Sequence, residues 1–216
     1  MPTPPHPTLT RRALLAAAGT AVALLLPRRA LAGDPLDDLL ARIARARAPM
    51  RTLQGPFTQT RTIGLLATDV RSAGTFTLVR PDRLRWQLAA PDDVTFFVGP
   101  EGLSYRGAQG HGTAAPPNAR IAAALDDLRT LLGGDLSRLR DRWDLRPLRD
   151  DSTGAELEAT PRPNAASPLR SLRFALAADL VRPTRAVLVE GPHDRTVIDF
   201  GALAVDAPVD PAKMRP

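Results

Sequence analysis

Between Gly74 and Leu88 the chain alternates with a period of two, and one of the two faces so defined is apolar. Phe76 and Leu78 share a face with Arg80. After a Pro81-Asp82 turn, Leu84, Trp86 and Leu88 share a face and alternate with Arg83, Arg85 and Gln87. Successive side chains of a strand point to opposite sides, so this is a hairpin with one dry face. Thr75, Thr77, Arg83, Arg85 and Gln87 keep the other face wet. An antiparallel sheet with one apolar face has to be covered, and the cover must come from elsewhere in the chain.

Two amphipathic stretches are available. Asp34 and Pro35 open the first, as N-cap and first helical residue. Leu36, Leu39, Leu40 and Ile43 follow at helical spacing, with Arg42, Arg45 and Arg47 expected outside the stripe, until Pro49 ends it. The second begins at Pro117-Asn118, carries Ile121, Leu125, Leu128, Leu131 and Leu132, and stops at Gly133-Gly134. A shorter helix from Asp135 carries Leu136 and Leu139. Strand-like runs occupy the rest: a stretch from Leu53, Val94–Val98, Leu103–Tyr105, Trp143–Leu148, Ala155–Ala159, Leu169–Leu176, Ala186–Val189 and Thr196–Phe200. Few helices against many antiparallel strands predict an α+β fold, with the helices on one face of a long curled sheet. The pattern fits two readings: an ordinary sheet–helix core, or a helical lid over a cavity able to hold lipid.

Residues 1–32 read as a cleaved export signal and 33–216 as a single mature domain. Arg11-Arg12 precede an apolar run from Ala13 to Leu26, and Ala30-Leu31-Ala32 supplies the small-x-small cleavage pattern. The paired arginines, with Arg28-Arg29 beside the cleavage site, resemble a twin-arginine signal, the alternative being general secretory export. Either route predicts a periplasmic protein. The segment also explains most of the charge. It holds four arginines and no acid, and so accounts for four of the net +6. The mature body is close to neutral and has no basic block, which excludes nucleic acid as an electrostatic partner. With no cysteine there is no disulfide, thiolate zinc site, thiol nucleophile or lipobox.

Nothing assembles a catalytic site. Ser104, in Gly102-Leu103-Ser104-Tyr105-Arg106, misses the nucleophile elbow because Arg106 replaces its second glycine, and it is read as an exposed loop serine. His111 and His193 stand alone in loops without a metal-ligand spacing. Asp92-Asp93 reads as turn chemistry, and Asp126-Asp127 as the wet face of a helix. No enzyme, cofactor or metal is therefore expected.

Phe57-Thr58-Gln59, then Gly74-Thr75-Phe76-Thr77-Leu78-Val79-Arg80-Pro81 running on to Trp86, then Pro91-Asp92, resemble the LolA-type periplasmic carriers of outer-membrane lipoproteins. Element order agrees over most of the mature chain, and Val205–Lys213 is similar to the family's C-terminal region. Ile63-Gly64-Leu65-Leu66-Ala67 resembles a LolA-like branch with other lipid or glycolipid cargo. The resemblance implies an unclosed antiparallel β half-barrel with a helical lid over a hydrophobic cavity. The implied lining is Phe57, Phe76, Leu78, Leu84, Trp86, Leu88, Phe96 and Tyr105, and the implied lid is Ile121, Leu125, Leu128, Leu131 and Leu132. Arg80 would be the lid latch, holding backbone carbonyls; the residues alone allow instead a strand-end arginine in water. The implied function is a monomeric periplasmic carrier moving acylated cargo, lipoprotein or lipid, from inner to outer membrane. Its implied partners are acyl chains, an inner-membrane release transporter and an outer-membrane receptor. The rival readings are a lipid- or lipoprotein-sensing regulator and a hydrolase using Ser104 or His111.

Overall fold

The computed structural model describes residues 34–64, 68–107, 110–113, 119–163, 165 and 167–215. The proposed export signal lies outside them. Helix α1 (Pro35–Arg47) starts as the sequence dictates: the Asp34 carboxylate accepts from the Leu36 N–H at 3.0 Å, and Pro35 sits in the first turn. Asp37 and Asp38 near its start and Arg45 and Arg47 near its end suit the helix dipole. Leu36, Leu39, Leu40 and Ile43 form the buried stripe. Arg47 belongs to it too, which corrects the sequence reading. Four residues beyond Ile43, it falls on the same face of a helix with 3.6 residues per turn.

The strands form two meanders. β1 (Thr52–Ile63), β2 (Thr68–Val79), β3 (Arg83–Leu88), β4 (Val94–Gly99), β5 (Gly102–Gly107) and β6 (Gly110–Thr113) make the first. Helix α2 (Ala119–Gly133) and a 3-10 turn at Leu136–Asp141 follow, the turn capped by Asp135 and burying Leu136 and Leu139. β7 (Trp143–Asp151), β8 (Gly154–Pro161), β9 (Ser171–Ala177), β10 (Pro183–Val189) and β11 (Arg195–Phe200) make the second. β1 pairs antiparallel with β11, so the two meanders join into one sheet ordered β6-β5-β4-β3-β2-β1-β11-β10-β9-β8-β7. β6 and β7 end that path without pairing to each other, so the sheet is unclosed. A two-residue strand, β12 (Ala204–Val205), adds to β1. The α+β, unclosed antiparallel architecture is the expected one.

Three details differ from the sequence reading. β2 begins at Thr68, before the apolar alternation that marks its second half. His111 stands in the edge strand β6, where a loop was expected, because a four-residue strand with two glycines carries little alternation to detect; Ser104 lies within β5, the strand-like run Leu103–Tyr105, and not in the loop that follows it. Asp127 is buried rather than on the wet face of α2.

Candidate functional site

Register places the predicted apolar residues in rows across one face of the first meander. Phe76 lies opposite Trp86, Trp86 opposite Phe96, and Phe96 opposite Tyr105. The next row runs Leu78, Leu84, Val98, Leu103. Phe57 pairs with Gly74 on one side and Phe200 on the other. A Cβ on Gly74 would come within 2.0 Å of the Gln87 carbonyl oxygen and 2.7 Å of Phe57 Cζ. Only glycine lets the Phe57 ring lie down here, which is the physical reason for the glycine that leads this part of the strand.

The rings close up. Phe57 stacks on Trp86 with centroids 3.8 Å apart, Phe76 lies 5.9 Å from Trp86, and Phe200 meets Phe76 edge-on at 5.6 Å. Trp86 is 3% exposed. Phe57, Phe76, Leu78, Leu84 and Trp86 join one buried core with Val98 and Leu103, while Leu88 and Phe96 pack against it partly exposed. Tyr105 is half-buried, its ring against Gly112. Phe200 was absent from the sequence-derived lining. Its alternation with Ile198 was a signal, but the pairing of β11 with β1 brings it into the cluster.

From α2, Leu125, Leu128, Leu131 and Leu132 join the same core, and the helix packs on β2 and β4. The side chain of Ile121 lies outside the described residues. The approach is close: a Cβ on Gly133 would fall 2.1 Å from Leu78 Cδ2. Asp127 is 3% exposed; its Oδ1 accepts from Arg142 Nη1 at 3.3 Å, while Oδ2 has no hydrogen-bond partner among the described residues. Burial pushes its carboxyl above the usual range, against the opposing pull of Arg142. The Trp143 indole N–H lies beside it without completing a hydrogen bond.

Arg80, at the end of β2, donates from Nη1 to the backbone carbonyls of Arg47 and, at 3.3 Å, Met50. Those acceptors belong to the last turn of α1 and the link to β1; they are not on α2. Arg47 itself is 2% exposed, and among the described residues its Nε, Nη1 and Nη2 have no hydrogen-bond partner. Its guanidinium lies 5.9 Å from the centroid of the Phe174 ring on β9. Burial, followed by the charge of Arg80, lowers its pKa to about 9, with Asp179 opposing. It is still charged at neutral pH.

An open cavity of about 700 Å³ lies away from the aromatic rows, lined by Pro49, Arg51, Arg83, Asp206, Met214 and Arg215 among others. None of the predicted lining residues reaches it. Ser104 and His111 are diagonal neighbours on adjacent strands, and among the described residues no hydrogen bond joins them. Among the described residues no group of three or more His, Asp or Glu could hold a metal, and no helix is long and apolar enough to cross a membrane.

The family model described as "Outer membrane lipoprotein carrier protein LolA" matches residues 48–215. No curated protein matches by sequence. Among solved structures, a DUF1329 family protein from Desulfovibrio piger superposes with a TM-score of 0.51 at 11% identity, covering 84% of this chain and 98% of that one. An uncharacterized conserved protein from Thermus thermophilus gives 0.51 at 8% identity, covering 85% and 94%. A LolA superfamily protein from Nitrosomonas europaea gives 0.47 at 10% identity, covering 83% and 97%. The first two likenesses speak to the fold alone.

Proposed function

Because the chain belongs to the LolA family of outer membrane lipoprotein carrier proteins, we propose that it is a non-enzymatic periplasmic carrier, processed to residues 33–216, that takes acylated cargo onto the aromatic face of its first meander. The observation that carries this reading is the cluster of Phe57, Phe76, Trp86 and Phe200 under the leucines of α2. In this structure that face is filled by its own side chains and by the helix, so cargo enters as α2 withdraws. The energy scale suits a carrier. Each buried CH₂ of an acyl chain contributes about 0.8 kcal/mol, so part of one chain offsets the loss of several leucine contacts. Loading and release are then exchanges of similar surfaces. Arg80 acts as a latch on the α1 side, tying the end of β2 to the carbonyls of Arg47 and Met50. An inner-membrane donor and an outer-membrane acceptor complete the route.

The test uses Trp86 as a reporter in the Trp143→Phe background. Micromolar acyl chain should shift or quench its emission, and Trp86→Phe should lose most of the signal. A folded protein that binds neither lipid nor detergent at millimolar levels overturns the proposal and leaves an ordinary sheet–helix core.

A further inference from the structure

Arg47 closes the buried stripe of α1, a position where a leucine would complete the pattern. A guanidinium offers five N–H donors in one plane and no acceptor. Here all three nitrogens are buried without a partner. Among the described residues no counter-charge is in contact with it. Arg80 repels it, and the carboxylate that attracts it from a distance, Asp179, is already engaged by the N–H groups of Val181 and Arg182 and by the Arg182 guanidinium. Among the described residues Arg47 forms no ion pair. A buried guanidinium is thus left with a repelling neighbour and no anion in contact among the described residues.

Charged groups are taken out of water only when they are paired and hydrogen-bonded. The planar fork of an arginine matches the two oxygens of a carboxylate or phosphate. The surroundings specify the rest of the ligand. The Phe174 ring and the leucine and isoleucine side chains of the α1 stripe make the surroundings apolar, which favours an alkyl chain over a sugar or a peptide. A neutral ester carbonyl would satisfy one donor and leave the charge unmatched.

We propose that Arg47 is a head-group receptor, binding the carboxylate or phosphate of an anionic amphiphile whose alkyl chain lies in the apolar interior. This rests on the carrier reading and narrows it, making the cargo an acidic amphiphile rather than a neutral acyl chain alone. An anionic head group on Arg47 would also offset the repulsion that Arg80 exerts on it.

The test compares decanoate, decyl phosphate and decanol as competitors of an apolar fluorophore on the full mature chain, with acetate and inorganic phosphate as heads without chains. Both anionic chains should bind about tenfold or more tighter than decanol, because charge-assisted bidentate pairing is lost with the neutral head. Acetate and inorganic phosphate should not compete at the same concentrations. In Arg47→Met the ratio of decanoate to decanol affinity should fall to within about twofold, and Arg47→Gln should behave alike if the methionine variant does not fold. Equal binding of decanol and decanoate by the wild type, or a preference unchanged by both substitutions, overturns this inference alone. Inorganic phosphate competing as well as decyl phosphate overturns the amphiphile assignment. Failure of all three chains to bind overturns the carrier reading and this inference with it.

Discussion

The two helices bury leucines equally well but are finished differently. α1 is capped by Asp34, carries acids in its first turn and arginines in its last, and packs on β7 and the neighbouring 3-10 turn. α2 has no acid in its first turn and no basic residue in its last, and it buries a carboxylate, Asp127, among its leucines. Favourable end charges each stabilise a helix by about 0.3–1 kcal/mol, and a buried acceptor without a partner costs about 1–3 kcal/mol. The first helix is thus held by its ends as well as by its face. The second is closed at its C-terminal end by the Gly134 N–H donating to the Thr130 carbonyl, lacks complementary charges in its terminal turns, and carries a built-in cost. On the carrier reading, that difference marks α1 as scaffold and α2 as the helix that leaves and returns.

The sharpest test makes the same deletion in both. Leu39 and Leu132 are each fully buried, in α1 and α2 respectively. Leu39→Ala should lower the stability of the whole domain by about 2–5 kcal/mol. Leu132→Ala should instead speed hydrogen exchange across 119–133 and strengthen binding of an apolar fluorophore, with a smaller shift of the main unfolding transition. Equal losses in one common transition would show that the helices are equivalent.

Asp127→Asn probes the built-in cost. The folded carboxyl has a raised pKa, so the folded state holds its proton more firmly than the unfolded chain. Stability then falls as pH rises from the unfolded value toward the folded one, and the cost is complete above the latter. The substitution should therefore stabilise docking of α2 by about 1–3 kcal/mol at pH 7, and the gain should vanish near pH 4. A gain that does not change between those pH values would trace to something other than ionisation. Asp34→Ala is the mildest change. Loss of the cap should cost about 1 kcal/mol in thermal or urea unfolding and leave fluorophore binding by the α2 face unchanged.

Much of this arrangement was legible in the residues. The apolar alternation from Phe76 to Leu88, the turn at Pro81-Asp82 and the leucine stripe of α2 all express local periodicity, and each is found where periodicity puts it. What was not legible depends on contacts far apart in sequence. Phe200 reaches the aromatic cluster only because β11 pairs with β1 some 140 residues away. Asp127 and Arg47 were placed outside by their charge, although their helical positions put them inside. For Arg47 the stripe itself held the answer, since 43 and 47 share a face. A strongly polar residue was assumed to overrule geometry, and at Arg47 geometry prevails.

The pairing of β1 with β11 also sets an order of assembly. The first meander consists of neighbouring hairpins, so β1 to β6 find each other by short-range closure. Their aromatic face, however, lacks its fourth ring until residue 200 has been made and the second meander has folded back. Such a long-range contact forms late, because its loop must be closed before its packing is gained. For most of its synthesis the chain therefore carries Phe57, Phe76 and Trp86 without their final neighbour, in the state most prone to association. The surface proposed to hold cargo is the last part of the protein to be completed, and a chain truncated before β11 should carry it without the Phe200 ring.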